Sequence, residues 1–501
     1  MTGRRLRLGL ASAGLFLAAL DAYAVVTLLP QMMAAVDVSI NDIQAATPIL
    51  SGFLGGYVIA MPLLGTFSDA RGRLPAYAAA MAAFGLGSTL TALSASLPLL
   101  VTGRALQGLG GGALVPLTLA LAADLYPVGR RAVPIGGVSA VQEAGSVFGP
   151  LYGAWLAGVL GDWRGVFWLN LPLGAVILAV LWYVQRRPNR AGGASSTPQP
   201  EPGARIDWVG AGLLGLGLGL LVLALYPDDP SRRPVDALAL PAGIAAAIVL
   251  GLFGWSQRRL APLVAAGLVR SRVFWTSMGA NLLTGVALVV ALVDVPLLAR
   301  AAFGLDTLGA GLLLSRLLVG VPLGAILGGL LSGSLGRRWT AAGGIAVAGA
   351  AFAVMSTWTV DELQVAAVPA SLELFVAGLG FGLVIAPLSS MVLDLTVAGE
   401  HGLASSLVVL ARTVGMVVGL SALTAFGLAR FESIFNSRRC AASSPNASLH
   451  DRLAALEACS KGALVQEYRE IFVAAAIVCA VAALACAWGL RSRAVSEAAP
   501  A

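Results

Sequence analysis

Six charged side chains interrupt long apolar stretches of the sequence: Asp21, Arg104, Glu143, Asp294, Arg316 and Arg412. A charge at hydrocarbon depth costs about 2.5–3.5 kcal/mol on insertion scales, so it is kept for a use or a partner. Acids and arginines in that setting can handle protons. A carboxylate facing an arginine stays ionised, and the same carboxylate, separated and buried, takes up H⁺. Asp21 and Glu143 are the candidate proton-sensitive acids. Arg412, in the second half of the chain, is their candidate counter-charge, so that the ion pair locks one conformation. Arg104 is placed either to perturb a neighbouring acid or to bond helix carbonyls. Arg316 joins the set, although a long side chain there can also snorkel. Fixed structural pairs between helices are the alternative to a switch. Asp294 lies near the end of its stretch, where it can meet water.

The elements that carry these residues follow from composition. The chain has 501 residues, of which 58% are hydrophobic and only 11% charged, with a mean hydropathy of +0.86. Soluble domains carry about 25% charged residues, so a soluble protein, a disordered chain and a small disulfide scaffold are excluded. Fourteen apolar segments can be read, at 8–29, 47–67, 76–95, 98–123, 133–156, 165–184, 207–226, 237–256, 274–298, 308–332, 339–358, 368–392, 402–428 and 470–490. They exceed barrel strands in length and lack period-two alternation, so the spacing predicts helices. Ala22-Tyr23-Ala24 imitates a signal-peptidase site, but the run is long for a signal peptide, and an uncleaved first span is expected.

The net charge of +7 does not point to nucleic acid, because the basic residues cluster in short loops between apolar segments. With the N-terminus inside, nineteen arginines fall in inner segments, against four in short outer loops and six basic residues between spans 13 and 14. Both termini are therefore expected to be cytoplasmic. Residues 186–206 read as a flexible inner linker. In the stretch 429–469, Ser448 can cap a helix with Asp451 three residues on. This stretch is expected to form helical extensions of the last two spans, protruding outside, with a polar loop as the alternative. Cys440 and Cys459 fall on that outer side and are a candidate disulfide. The four cysteines include no CxxC pair, and His401 and His450 have no ligand partners at useful spacing, so no metal site is expected. No phosphate loop of the GxxxxGK[ST] type occurs, and no cluster of acid, base or metal ligands suggests an enzyme.

An internal repeat organises the rest. Gly65, Asp69, Gly72 and Arg73 follow span 2, and Gly329, Gly333, Gly336 and Arg337 follow span 10, 264 residues later with the same offsets. Six helices need fewer residues than that, so spans 7 and 8 read as an insertion between two six-helix halves. Parallel halves of this kind build alternating-access transporters with a cavity between them. Asp69 can accept from a neighbouring helix N-terminus or pair with Arg130 or Arg131, closing an inner gate formed by Gly65, Asp69, Arg71, Gly72 and Arg73. Gly145, Gly149 and Gly153, with Pro150, give a smooth helix face for close packing.

These residues carry a resemblance. Gly65-Thr-Phe-Ser-Asp69-Ala-Arg71-Gly72-Arg73, Arg104-Ala-Leu-Gln107-Gly108, and Gly136 with Gly145, Gly149-Pro150 and Gly153 resemble the inner-loop, span 4 and antiporter signatures of the major facilitator superfamily. Leu20-Asp21, Trp163-Arg164 and Asn170-Leu171-Pro172 are similar to its fourteen-span drug:proton antiporter branch. Met61-Pro62-Leu63-Leu64-Gly65, Gln142-Glu143, Leu292-Val293-Asp294-Val295 and Pro445-Asn446-Ala447-Ser448-Leu449 resemble mycobacterial-type lipid exporters. The resemblance implies an all-α polytopic membrane protein: an N-terminal six-helix half (1–185), a linker with two inserted helices (186–272), a C-terminal half (273–490) and an inner tail (491–501). It implies proton-driven export of triacylglycerol or related lipids from the bacterial inner membrane, no cofactor, and a periplasmic lipid-carrying lipoprotein as partner. It also implies that the antiporter helix forms part of the interface between the halves. A multidrug antiporter of amphipathic cations is the alternative.

Overall fold

The computed structural model describes residues 3–38, 47–186, 207–225, 239–258, 263–264, 266–362, 366–397, 399–437 and 449–490. The linker 186–206, the Ser448 cap and Cys440 lie wholly or mostly outside the described residues, as does the inner tail. All regular structure among the described residues is helical. Lipid offers no hydrogen bonds to a backbone, and helices satisfy their own. The elements are α1 (Gly3–Ala34), α2 (Thr47–Arg71), α3 (Arg73–Ala92), α4 (Leu97–Leu125), α5 (Ala132–Leu160), α6 (Arg164–Arg186), α7 (Trp208–Leu225) and α8 (Ala239–Ser256). A short α9 (Ala266–Arg270) precedes α10 (Arg272–Ala301), α11 (Thr307–Leu331), α12 (Arg337–Met355), α13 (Ala367–Leu393), α14 (His401–Ser437) and α15 (Leu449–Gly489).

Eleven stretches among the described residues are long and apolar enough to cross a membrane; one of them, Gly309–Met355, contains both α11 and α12. The helices α3 and α5 are not among these stretches. For α5 the reason is visible: it carries Gln142, Glu143 and Ser146 on a wall that faces a cavity. Helix starts follow local chemistry. Ser271 accepts from the Phe274 amide at α10, and Asp306 accepts from the Gly309 amide at α11.

One buried core joins α10 to α13 with α15 around Phe352, Phe381, Trp358 and Phe472. A second joins α1 to α7 and then reaches Leu393 on α13 and Val408, Val409 and Val417 on α14. A third, smaller core gathers Met32, Leu100, Trp163 and Phe167 at the end of the bundle away from Asp69. Helices α14 and α15, of 37 and 41 residues, are about 55 and 60 Å long, well beyond the ~30 Å of a hydrocarbon core. The stretch read as extension or loop is thus helical up to Ser437 and again from Leu449, and the bidentate Arg430–Glu470 pair (2.5 and 2.9 Å) clasps the two helices.

Candidate functional site

A cavity of about 310 Å³ lies where α1, α2, α4 and α5 face α10, α11 and α14. Its walls are mostly apolar or aromatic, including Leu15, Phe53, Tyr57, Leu288, Leu318 and Met416. Glu143 and Arg412 are the charged residues lining it. Arg412 Nη2 donates to Glu143 Oε1 at 3.2 Å, and both side chains are largely buried. This pair joins α5 to α14, across 269 residues of sequence.

Asp21 has a different partner from the one expected. Arg412 does not reach it; Arg104 Nη1 donates to Asp21 Oδ2 at 3.0 Å in a fully buried ion pair. Gln107 Nε2 donates to the same oxygen at 3.0 Å, and Asn170 Nδ2 donates to Oδ1 at 2.5 Å. Ser88 accepts from both amides, and Thr91 donates to Gln107. Arg104 and Gln107 stand three residues apart, on one face of α4, and so reach one carboxylate together. The Phe53 ring lies 4.4 Å beneath the Arg104 guanidinium and separates this centre from the cavity. Arg316 meets no carboxylate among the described residues; its guanidinium donates to the Leu312 carbonyl of its own helix.

The Asp69 end of the bundle is closed. Asp69 accepts from the Gly402 and Leu403 amides at 2.8 and 2.9 Å, capping the N-terminus of α14, where the helix dipole favours a negative charge. A side chain at Gly65 would strike Ser406 Oγ and the Gly402 carbonyl, so only glycine lets α2 approach α14 this closely. Arg73 donates to Asp69 and to Asp124, each at 2.6 Å, and His401 Nδ1 lies 2.5 Å from Asp124. Gly72 (φ 92°) and its repeat counterpart Gly336 (φ 81°) make the same left-handed turn. Arg131 does not pair with Asp69; it donates to the Leu393 carbonyl at 2.8 Å and to Asp394 at 3.1 Å, and Arg337 also binds Asp394. Arg71 is exposed. Beside the gate, burial first and nearby Asp69 second push the Glu400 carboxyl above the usual range.

The glycine face of α5 packs within the first half of the chain. Added side chains at Gly145, Gly149 and Gly153 would collide with Ala19, Tyr23 and Ala24 of α1. Pro150 contributes its carbonyl, which accepts from Thr27 at 3.1 Å. The approach of α5 to α11 is made instead at Gly136, against Ala325 and Gly329. The helix thus does meet the second part of the chain, as expected, but through Gly136, while Gly145, Gly149 and Gly153 form a packing face against α1. Asp294 is also not at a wet helix end: it is 8% exposed, and its Oδ2 has no partner. Asp124 and Asp394 were not singled out from sequence, while Asn170 entered only within a family motif and His401 only as a histidine without ligand partners. Asp124 and Asp394 each close an apolar run with an acid, a spacing that could have flagged them.

A bundle of long apolar helices with a central, mostly apolar cavity and an ion pair across it is the layout of a membrane transporter. Residues 11–420 match the Major Facilitator Superfamily, and the chain belongs to it. It is 39% identical over 494 residues, 96% of this chain and 86% of the relative, to a triacylglyceride transporter of Mycolicibacterium smegmatis. It is 40% identical over 497 residues, 96% of this chain and 94% of the relative, to a triacylglyceride transporter of Mycobacterium tuberculosis. Among solved structures, the human organic anion transporter MFSD10 superposes with a TM-score of 0.60 at 16% identity, covering 96% of this chain and all of that one. The Escherichia coli fucose:proton symporter superposes at 0.56 with 14% identity, over 98% of this chain and all of that one. The chain is a multi-pass membrane transporter and not an enzyme.

Proposed function

We propose that this protein is a proton-coupled, alternating-access exporter of triacylglycerol or related lipids. Residues 1–185 and 273–490 form its two six-helix halves, and α7 and α8 are two inserted spans, making fourteen. The Asp69 end faces the cytoplasm with both termini, and the protein sits in a bacterial inner membrane. The observation that carries the reading is the Glu143–Arg412 pair, which ties α5 to α14 inside an otherwise mostly apolar cavity. A proton on Glu143 removes the attraction to Arg412 and frees the halves to rock, so the pH gradient drives the cycle with no cofactor. The named activity of the two mycobacterial relatives supports a lipid cargo. The cavity is smaller than a lipid with three long acyl chains, so such a cargo extends from it sideways into the bilayer.

Asp21, Arg104, Gln107 and Asn170 act as the fixed electrostatic support of α1. Gly65, Asp69, Arg71, Gly72 and Arg73 form the inner gate. The parts of α14 and α15 beyond the membrane offer a handover point to a periplasmic lipid-carrying lipoprotein, braced by a Cys440–Cys459 disulfide. The size of the cavity and its carboxylate favour a second reading, export of amphipathic cations. Reconstitution with labelled triacylglycerol and with a cationic dye, under an imposed pH gradient, separates the two. The lipid reading expects gradient-dependent triacylglycerol flux that is lost in Glu143→Gln. Dye flux alone would overturn it.

A further inference from the structure

A second pair of acids does not line the cavity, although Asp294 follows the lining residue Leu292 on α10. Asp294 on α10 and Glu467 on α15 are each 8% exposed. The two helices run antiparallel, with Gly489 against Thr276. Asp294 stands 22 residues from the start of α10 and Glu467 22 residues from the end of α15, so both sit about 33 Å along the bundle. Glu467 rests its carboxylate on Gly427 of α14, where an added Cβ would lie 2.5 Å from Oε1. Val295, Leu298, Val465 and Ile471 belong to the apolar core around them.

No donor answers either carboxyl group among the described residues, and Asp294 Oδ2 is fully enclosed. The charged groups in electrostatic reach of Glu467 are Asp294 and Glu470, both acidic, and Tyr468 adjoins them. From α14, Arg430 is held bidentately by Glu470, and Arg412 is held by Glu143. From α11, Arg316 donates to its own helix, and on α13 Glu373 accepts from Trp358. Two like charges cannot both persist in an apolar site without donors. A metal cation would collect about six or more oxygens, and this site offers two carboxyl groups. A proton needs only one oxygen to bind and one to accept from it.

We propose that Asp294 and Glu467 hold one proton between them, forming a proton site in the second half of the chain separate from Asp21 and Glu143. The proton adds to an oxygen of one carboxyl group and removes one of two like charges from the apolar site. Movement of α15 against α10 parts the two groups and returns the proton to water.

The test uses purified full-length protein in lipid nanodiscs, followed by infrared difference spectroscopy of the carboxyl C=O band between about pH 5 and pH 9. Wild type shows a protonated-carboxyl band that persists at neutral pH. Asp294→Asn and Glu467→Gln each shift it, the double variant abolishes it, and Asp21→Asn and Glu143→Gln leave it in place. A double variant with the wild-type band, or a wild type without the band, overturns the proposal. So does loss of the band on adding sodium chloride. The readout needs no transport, so it stands apart from whether the chain exports lipid.

Discussion

Asp21 and Asp294 are both buried acids on long apolar helices, and their surroundings could hardly differ more. Asp21 receives Arg104, Gln107 and Asn170, with Ser88 behind them. Asp294 receives nothing among the described residues. The difference comes from the neighbouring helices. Alongside α1, one face of α4 presents Arg104 and Gln107, and α6 adds Asn170. Alongside α10, α15 presents Glu467 and Tyr468. On the proposed reading, donors let a buried carboxylate serve as structure, whereas an acid beside another acid becomes a place for a proton. The same contrast recurs at the gate, where Asp69 holds two backbone amides and Arg73 while nearby Glu400 is repelled by Asp69.

The sharpest way to break this contrast is Arg104→Leu. It strands a buried Asp21, at a cost of about 3–5 kcal/mol. Thermal unfolding in detergent should show a collapse of the midpoint or no folded protein. Asp294→Asn, replacing a group that already carries or shares a proton, should shift that midpoint by no more than about 2 °C. Equal losses for the two would erase the distinction.

Next in size is Glu143→Gln, which removes the acid that can release Arg412. Expression should persist while gradient-driven flux in proteoliposomes falls to the level of empty vesicles. Asp69→Asn follows. It weakens two charge-assisted bonds worth about 1.5–3 kcal/mol each at most, and the ratio of closed to open forms should fall by about tenfold. Distances between spin labels on α2 and α14 at the gate would report it.

The smallest expected effect belongs to Glu400. Its carboxyl is raised above the usual value of 4.5 by burial and by Asp69. The closed gate therefore loses stability as pH rises through and above that value. Glu400→Gln should slightly increase the closed population at neutral pH, seen with the same labels, and the gain should vanish in acid.

Much of the fold was legible in sequence. Each of the fourteen apolar segments coincides with a helix to within a few residues over its apolar part; α14 and α15 extend well beyond theirs, to Ser437 rather than 428 and from Leu449 rather than 470. Apolar length is a local signal, and it survives folding. The helix cap from Asp69 was also legible, because the glycines flanking it leave the acid free to meet a neighbouring helix end. Partner assignment was not. Asp21, Arg104 and Arg412 can be listed from sequence, but which arginine meets which acid depends on helix rotation and on Phe53 standing between the two centres. Glu467 lay unread because its stretch is polar in sequence, and only the packing of α15 on α10 and α14 buries it.

In the proposed cycle Glu143 exchanges Arg412 for a proton as the two halves move. Carbon-13 NMR of carboxyl-labelled Glu143, in protein trapped by cross-links in inward- and outward-facing forms at one pH, tests it directly. The account expects Glu143 to be ionised in the form that keeps the Arg412 pair and protonated in the form that separates it. The same protonation state in both forms would contradict it.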